Sequence, residues 1–195
     1  VNGGNPIDTL INATTLPKQM MPQAQPLDFN RADLGPEYIH IQNPISENYI
    51  FKSNKLVLKG QGSLSDNNQP TFLGKRKEMV NGSVEFSVHP KKDAEGGLSV
   101  YQINDGHYDL FVKDGRVSLR CKLKNIDYIV KSEKIWSEWL KLRISYNDKM
   151  YKFEYSDDGI SYKSLGELNC SLLSSEVAGG FTGIVIGMYA DGGEV

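Results

Sequence analysis

Short runs in which apolar and polar residues alternate are the feature that most constrains what this chain can fold into. Five clear examples are SVEFSV, HYDLFV, RVSLRC, WLKLRISY and MYKFEY, which begin at Ser83, His107, Arg116, Trp139 and Met150. Side chains of a strand point alternately to its two faces, so each run has one apolar and one polar face. This period of two is typical of an antiparallel sheet that is buried on one side.

Turn signals separate these runs. Asx-Gly pairs begin at Asn81, Asp105, Asp114 and Asp158, and such pairs favour tight hairpins because they accept positive φ angles. Strands that recur roughly every 8–12 residues indicate a sandwich or a barrel. We therefore predict an all-β fold, a jelly-roll sandwich of two antiparallel sheets. Only SLLSSEV, residues 171–177, has a helical pattern, so at most one short helix is expected.

Residues 1–36 have a different composition from the rest of the chain. They contain five of the eight prolines, and their apolar residues follow neither the period of a strand nor that of a helix. This pattern favours an extended connector that lies on a surface, as found between domains. We expect a connector over residues 1–36 and a sandwich domain over residues 37–195.

The composition excludes several classes of partner. The formal net charge of −2 gives no electrostatic basis for binding nucleic acid or an anionic membrane. No run approaches the roughly 18 apolar residues of a membrane-spanning helix. Cys121 and Cys170 are too few for a disulfide framework or a structural zinc site, and two buried thiols are the favoured interpretation. The compartment, whether cytoplasm, periplasm or the outside of the cell, stays open.

The sequence contains no recognisable set of catalytic residues. The motifs of a nucleophilic serine, a phosphate-binding loop and a dinucleotide site are absent, and a glycosidase needs two carboxyl groups across a cleft. Glu85, Glu138 and Glu154 have no partner carboxylate two residues further along the chain. We interpret them as solvent-facing charges of strands, and we predict no catalytic residue in this chain.

Metal binding finds little support in the sequence. The three histidines are far apart and lack the spacing of metal ligands. They are His40, His89 and His107. Asp157, Asp158 and Asp191 stand in loops that could offer oxygen ligands to calcium, but plain turns are the favoured interpretation. We therefore predict no cofactor, and calcium is unsupported.

Aromatic side chains offer a different kind of function. Lectin-type sandwiches hold sugars by stacking them on exposed aromatic rings. Trp136 and Trp139 are the candidates for sugar stacking, although most aromatic residues of a sandwich lie in its core. An independent carbohydrate-binding module or lectin-like domain is therefore an alternative function, and an interaction domain without a sugar ligand is another.

Four stretches occur in an order that resembles a known domain. They are TFLGKRKE (71–78), GGLSVYQINDGHYDLFV (96–112), FEYSDDGISYKSLGEL (153–168) and GGFTGIVIGMYADG (179–192). Together they resemble the concanavalin A-like C-terminal domain of glycoside hydrolase family 43, the β-xylosidases and α-L-arabinofuranosidases. The opening VNGGNPI resembles the exit from the catalytic domain of that family. The resemblance implies that the sandwich is concanavalin A-like.

The resemblance also implies a function. In that family an N-terminal β-propeller carries an acidic catalytic triad and hydrolyses xylosidic or arabinosidic bonds of plant hemicellulose, while the sandwich packs beside it. The implied partners are the propeller of the same polypeptide and, through it, xylan or arabinoxylan. This chain alone would be inert.

One loop of the family reaches the propeller pocket with a Phe. The matching residue here is Phe181 in GGFTG, where the glycines permit a sharp bend. On this interpretation Phe181 leaves the sandwich and lines the pocket of the other domain. The alternative is that Phe181 plugs the rim of the sandwich.

The chain departs from the resemblance at two places. Tyr38 stands where relatives often have Trp, and a Tyr side chain buries most of the area that a Trp side chain would bury. Relatives also continue past the Gly-rich strand into a last strand, whereas this sequence stops at Val195. Because an unpaired edge exposes backbone groups, we expect marginal solubility, or an edge covered by the 1–36 connector or by a neighbouring molecule.

Overall fold

The computed structural model describes residues 29, 35–180 and 183–195, and thirteen strands lie within them. In chain order the strands are β1 (Tyr38–Ile39), β2 (Tyr49–Lys52), β3 (Lys55–Leu58), β4 (Thr71–Arg76), β5 (Gly82–Val88), β6 (Glu95–Ile103), β7 (Gly106–Lys113), β8 (Arg116–Leu123), β9 (Ile126–Lys134), β10 (Leu140–Tyr146), β11 (Met150–Ser156), β12 (Lys163–Asn169) and β13 (Val185–Asp191). Two short 3-10 helices accompany them, Ser46–Asn48 and Cys170–Leu173.

The strands form two main sheets that share one core. The larger sheet has seven strands in the order β1-β4-β13-β6-β7-β8-β9, and the smaller has four in the order β12-β11-β10-β5. The hairpin β2–β3 stands apart as a two-stranded sheet. Every pairing between the described strands is antiparallel. The predicted all-β sandwich of two antiparallel sheets is therefore confirmed.

Alternation along the strands decides which side chains enter the core. In β10, Leu140, Leu142 and Ile144 are buried between the sheets, whereas Lys141 and Arg143 on the other face are half-buried. Aromatic rings from both sheets meet in the same core: Tyr108, Tyr151, Phe153 and Tyr155. Burying one large apolar side chain contributes roughly 1.5–3 kcal/mol, so the alternating runs supply much of the driving force for this fold.

The larger sheet is buried on its outer face as well. A second apolar cluster lies there, and it consists of Leu64, Phe72, Phe111, Val185 and Tyr189. A Cβ on Gly187 would lie 2.6 Å from Cζ of Phe72 and 2.6 Å from Cα of Gly74. The small residues of β13 therefore make room for an aromatic ring and for close contact with β4.

The segment SLLSSEV (171–177) contains only the end of one tight helical turn. The 3-10 helix spans Cys170–Leu173, and the side chain of Asn169 accepts a hydrogen bond from the Ser171 N–H at 2.8 Å. Ser174 closes the turn by donating to the carbonyl of Ser171 at 3.1 Å. The expectation of at most one short helix here agrees with this turn. The described residues hold no helix of the length and apolarity that crossing a membrane requires.

Both cysteines are free thiols. Cys121 lies on β8 and Cys170 begins the second 3-10 helix, and each is only partly buried. The predicted thiols are confirmed, whereas the expectation that both are fully buried is wrong. Their partial burial raises the pKa of both thiols above the ordinary value.

The last described residues pair with the β2–β3 hairpin. Val195 and Leu58 exchange two backbone hydrogen bonds of 2.9 Å. Beside them a groove of about 420 Å³ runs between β3 and β5 and is lined by side chains such as Phe86 and Met188. Strand β13 itself has neighbours on both sides. The boundary of the connector at residue 36, the lack of a last strand and the covering of the edge that this would expose stay predictions.

Candidate functional site

Phe181, the residue to which the family resemblance points, lies outside the described residues. The glycines around it are described, and Gly179, Gly180 and Gly183 have φ angles of +92°, +82° and +74°. Glycine adopts this left-handed region at no steric cost. The carbonyl of Gly179 also accepts a hydrogen bond from Gln102 Nε2 at 3.1 Å. Sharp glycine bends therefore flank Phe181, as the GGFTG motif predicts.

This segment lies at one end of the larger sheet. A Cβ on Gly180 would lie 2.6 Å from Cγ2 of Ile103, the last residue of β6 before the turn into β7. Just after β4, the N–H of Lys77 donates to the carbonyl of Ile184 at 2.9 Å. The ends of β4 and β6 and the start of β13 therefore meet beside this segment.

A serine, a histidine and an aspartate form a chain of hydrogen bonds nearby. Ser65 Oγ lies 3.1 Å from His107 Nε2, and His107 Nδ1 lies 2.8 Å from Asp109 Oδ1. A nucleophile, its base and an orienting acid are ordered in the same way. His107 and Asp109 are completely buried, and neither the groove described above nor the cleft described below is lined by these residues. The chain of bonds therefore fastens the loop of residues 60–70 to the sheet.

Asp109 also belongs to a buried ionic network on the outer face of the larger sheet. Arg120 donates to the two oxygens of Glu95 at 2.8 and 3.0 Å and to Asp109 at 3.3 Å. The hydroxyl of Tyr189 donates to Glu95 at 2.9 Å. Sequence reasoning missed this network, because its members lie on four different strands and no local motif joins them.

The hydrogen bonds of the network set the charge of Asp109. Burial by itself would raise the pKa of this carboxyl group. The nearby His107 and Arg120 and a 2.7 Å hydrogen bond from Ser99 Oγ outweigh burial, and they hold the pKa of Asp109 below its ordinary value. Asp109 is therefore ionised at neutral pH, and its carboxylate is paired with buried groups of the fold.

The predicted solvent-facing role of Glu154 is wrong. Glu154 is only 5% exposed, because it points from β11 toward two cations. Arg143 Nε lies 3.0 Å from one of its oxygens, and Lys152 Nζ lies 2.8 Å from the other. Arg143 stands directly opposite Glu154 in the pairing of β10 with β11. The two cations keep the pKa of Glu154 low although burial favours the neutral form.

The candidate calcium loop behaves as a turn. Asp158 accepts hydrogen bonds from Ser156 Oγ at 2.8 Å and from the N–H groups of Ile160 and Ser161 at 2.7 Å each. Within residues 35–180 and 183–195, no group of three or more His, Cys, Asp or Glu side chains is arranged to hold a metal ion.

Trp139, the second of the two candidate stacking residues, contacts two other side chains of the domain. Its ring lies parallel to that of His89, with the centroids 4.7 Å apart and an interplanar angle of 16°. The Nζ of Lys55 lies 4.8 Å from the centroid of the same ring. Trp139 therefore joins the segment after β5 to the start of β3.

Trp136 stands in open solvent. The residue is 84% exposed, and Nζ of Lys134 lies 4.2 Å from the centroid of its ring. Its neighbours are fixed, because Ile135 is buried in the core and donates its N–H to the carbonyl of Gly115 at 3.0 Å. On the other side, Ser137 Oγ donates to the carbonyl of Trp139 at 2.6 Å.

Trp136 borders a cleft of about 920 Å³ at the end of the sandwich opposite Gly179 and Gly180. Asp93 before β6, Asp114 in the β7–β8 turn and Glu138 before β10 also line it. The cleft therefore lies where β6 begins, whereas the GGFTG segment lies where β6 ends. The structure separates the two regions that the sequence predicts to be functional.

Comparisons with known proteins agree with this architecture. Residues 27–194 match the family described as the β-xylosidase C-terminal concanavalin A-like domain. The "Non-reducing end alpha-L-arabinofuranosidase BoGH43B" of Bacteroides ovatus is 33% identical over 177 residues. The match covers 85% of this chain and 33% of that protein, so the chain spans about a third of the length of this relative.

Solved structures share the fold. "Bacteroides ovatus Xyloglucan PUL GH43B" superposes with a TM-score of 0.77 at 29% identity, over 88% of this chain and 37% of that one. The xylan β-1,4-xylosidase from Bacillus halodurans also superposes with a TM-score of 0.77, over 91% of this chain and 38% of that one. Its identity of 17% limits that likeness to the fold. By its sequence and by its sandwich, the chain belongs to the β-xylosidase C-terminal concanavalin A-like domains of glycoside hydrolase family 43.

Proposed function

We propose that this domain is the C-terminal accessory part of a family 43 glycosidase, in which it packs against a catalytic β-propeller and shapes its pocket. The alignment with the arabinofuranosidase carries the proposal, because the domain accounts for only a third of that relative. The whole polypeptide would cleave xylosidic or arabinosidic bonds of plant hemicellulose. The name of the related α-L-arabinofuranosidase and the family description, which refers to β-xylosidases, support this substrate class.

The carboxylates of the domain support an accessory role. A glycosidase needs two carboxyl groups that flank the scissile bond in an accessible pocket. The buried carboxylates Glu95, Asp109 and Glu154 are each held by an arginine, and none of them lines the groove or the cleft described above. Asp93, Asp114 and Glu138 do line the cleft, and the second test below asks whether any of these carboxylates is active. On the family interpretation the hydrolytic chemistry resides in the partner domain.

The segment around Phe181 supports the contact with that pocket. Its flanking glycines and the hydrogen bond from Gln102 to Gly179 fix where the segment leaves the sheet. A loop whose two ends are held loses less conformational entropy when it docks on a partner than a loop whose ends are free. Phe181 is accordingly the residue that we expect to line the neighbouring pocket.

Kinetics of the polypeptide that contains both domains test this proposal. Phe181→Ala should raise KM for aryl xylosides or arabinofuranosides by roughly tenfold, since a pocket loses an apolar wall. Phe181→Leu should retain most of the affinity, because it restores apolar volume. Trp136→Ala is the matched control at the opposite end of the sandwich, and it should leave kcat/KM for these small substrates unchanged.

The isolated 195-residue chain provides the second test. It should not hydrolyse 4-nitrophenyl xyloside or 4-nitrophenyl arabinofuranoside. Turnover by this chain that disappears when one of its carboxylates is replaced would contradict the accessory role. Unchanged kinetics of the Phe181→Ala polypeptide would contradict the contact with the pocket, while leaving the accessory role itself standing.

A further inference from the structure

We propose that the cleft beside Trp136 binds a neutral oligosaccharide, a β-linked chain of xylose or glucose units, with the indole ring as its stacking platform. The site lies at the end of the sandwich opposite Gly179 and Gly180 and is independent of the proposed accessory function. The exposure of Trp136, the fixed loop that carries it and the balance of charge around the cleft support this assignment.

Trp136 leaves a large apolar ring in water. At 84% exposure it is among the most exposed of the large apolar residues described, although its chain neighbour Ile135 is buried. An aromatic side chain offers roughly 150–250 Å² of surface for contact. At the mouth of a cleft of about 920 Å³, within the size range of small-molecule sites, this surface is available to a ligand. The flat C–H face of an equatorially substituted sugar ring suits such a platform.

The backbone that carries the ring is held in place before any ligand arrives. Ile135 is fixed by the core and by its hydrogen bond to Gly115, and Ser137 is fixed by its hydrogen bond to Trp139. A platform between two anchored neighbours loses little conformational entropy on binding. The turn beside it also leaves space, because a Cβ on Gly115 would meet no atom within 4 Å.

The charges around the cleft suit a neutral ligand that is rich in hydroxyl groups. Three cationic and three anionic side chains line the cleft or contact Trp136. They are Lys91, Lys92, Lys134, Asp93, Asp114 and Glu138. Because the formal charges balance, the site has no electrostatic attraction for a polyanion. Ammonium groups donate hydrogen bonds and carboxylates accept them, so both kinds can bind sugar hydroxyls.

A single platform distinguishes this site from the sequence prediction, which named both tryptophans. Trp139 is 49% exposed and its ring stacks on His89 beside Lys55, so less of its surface is free than that of Trp136, which is 84% exposed. Trp136 has no such stacked partner among the described residues. We therefore expect one stacked sugar unit, with the neighbouring units held by hydrogen bonds along the cleft.

A protein partner fits this surface less well. Stable protein interfaces bury roughly 1,200–2,000 Å² and have an apolar centre that lacks charge. Charged residues surround Trp136, and other exposed apolar residues such as Tyr128 and Ile160 do not line the cleft. One ring among balanced charges is sufficient for a sugar and insufficient for the centre of a protein interface.

Isothermal titration calorimetry of the 195-residue chain with xylohexaose and with cellohexaose tests the proposal. We expect a Kd in the millimolar range or tighter for at least one of them. Trp136→Ala should weaken binding at least about tenfold, which equals about 1.4 kcal/mol. Tyr128→Ala is the matched control, since it removes an exposed aromatic ring that does not line the cleft, and it should leave binding unchanged.

Three results would overturn the proposal. They are no binding of either sugar at about 10 mM, equal affinities of the wild type and the Trp136→Ala chain, or self-association that Trp136→Ala abolishes in sedimentation velocity without any sugar binding. Circular dichroism melting of Trp136→Ala should match the wild type, which excludes loss of the fold as the cause. These experiments measure binding and not hydrolysis, so a negative result would contradict the sugar site without contradicting the accessory role.

Discussion

Replacing Arg120 by methionine should destabilise the domain by about 3 kcal/mol. The guanidinium donates to both oxygens of Glu95 and to Asp109. Methionine retains apolar packing but cannot donate, so two carboxylates with side chains only 4% and 0% exposed lose their main cation. Removing one partner of a buried ion pair costs about 3–5 kcal/mol. The lower end applies here, because Lys113 Nζ remains 3.7 Å from Glu95.

Urea unfolding at neutral pH measures this loss. With a denaturant slope of about 2 kcal/mol per molar, a loss of 3 kcal/mol lowers the unfolding midpoint by about 1.5 M. Arg116→Met on the same strand is the control, because Arg116 is exposed and donates only to Ser132. That change should stay within about 0.5 kcal/mol. Equal midpoints for the two variants would refute the reasoning that burial makes the Arg120 network energetically important.

The pH dependence of the same variant has a defined sign. The pKa of Asp109 lies below the ordinary value of an aspartate, because His107, Arg120 and Ser99 outweigh the effect of burial. A depressed folded pKa stabilises the protein above the unfolded pKa, and this contribution is lost as the pH falls through the folded pKa. Without Arg120 the pKa of Asp109 rises, so on acidification the variant protonates Asp109, and thereby removes its unpaired buried charge, at a higher pH than the wild type does. The wild type should therefore exceed the variant in unfolding free energy by less at about pH 4 than at about pH 7.

Two further substitutions test the packing of the outer face. Gly187→Ala should cost about 1–3 kcal/mol, because its Cβ would lie 2.6 Å from the backbone of β4. Thermal melting measures the loss against Gly62→Ala, whose Cβ would meet nothing closer than 3.5 Å, and equal melting temperatures would contradict it. Ser65→Ala removes the hydrogen bond to buried His107 and should cost about 1–2 kcal/mol. Limited proteolysis should then cut the loop of residues 60–70 faster, and an unchanged rate would show that this bond does not hold the loop.

The strands could be predicted from the sequence because alternation reports burial directly. The run WLKLRISY became β10 with its apolar residues in the core, and MYKFEY became part of β11. The same logic failed for Glu154, which the pattern assigns to solvent. Its burial depends on Arg143 in the neighbouring strand, and a local pattern contains no information about cross-strand partners.

The buried network could not be predicted for a related reason. Period-two patterning assumes one buried face, whereas both faces of β7 are buried from Gly106 to Val112. Asp109 then faces Arg120 through the pairing of β7 with β8, which only the register reveals. Likewise, Trp136 and Trp139 are equivalent candidates in the sequence. Only the structure shows that Trp136 is 84% exposed, whereas Trp139 is 49% exposed and stacked on His89.

The filled outer face limits where this domain can act. Phe72, Phe111 and the Arg120 network occupy the centre of that face, so a ligand has no access to it. The surfaces that remain are those of the smaller sheet, the rim and the two ends of the sandwich, and Trp136 and the glycines that flank Phe181 lie at opposite ends of β6. Changes at distant sites without shared partners add in free energy. In the two-domain polypeptide, Phe181→Ala should therefore affect small and polymeric substrates alike, whereas Trp136→Ala should affect only the polymer. With the polymer as substrate, the fold decrease in kcat/KM of the double variant should equal the product of the decreases of the two single variants. A decrease smaller than that product would show that the two ends act on one shared site.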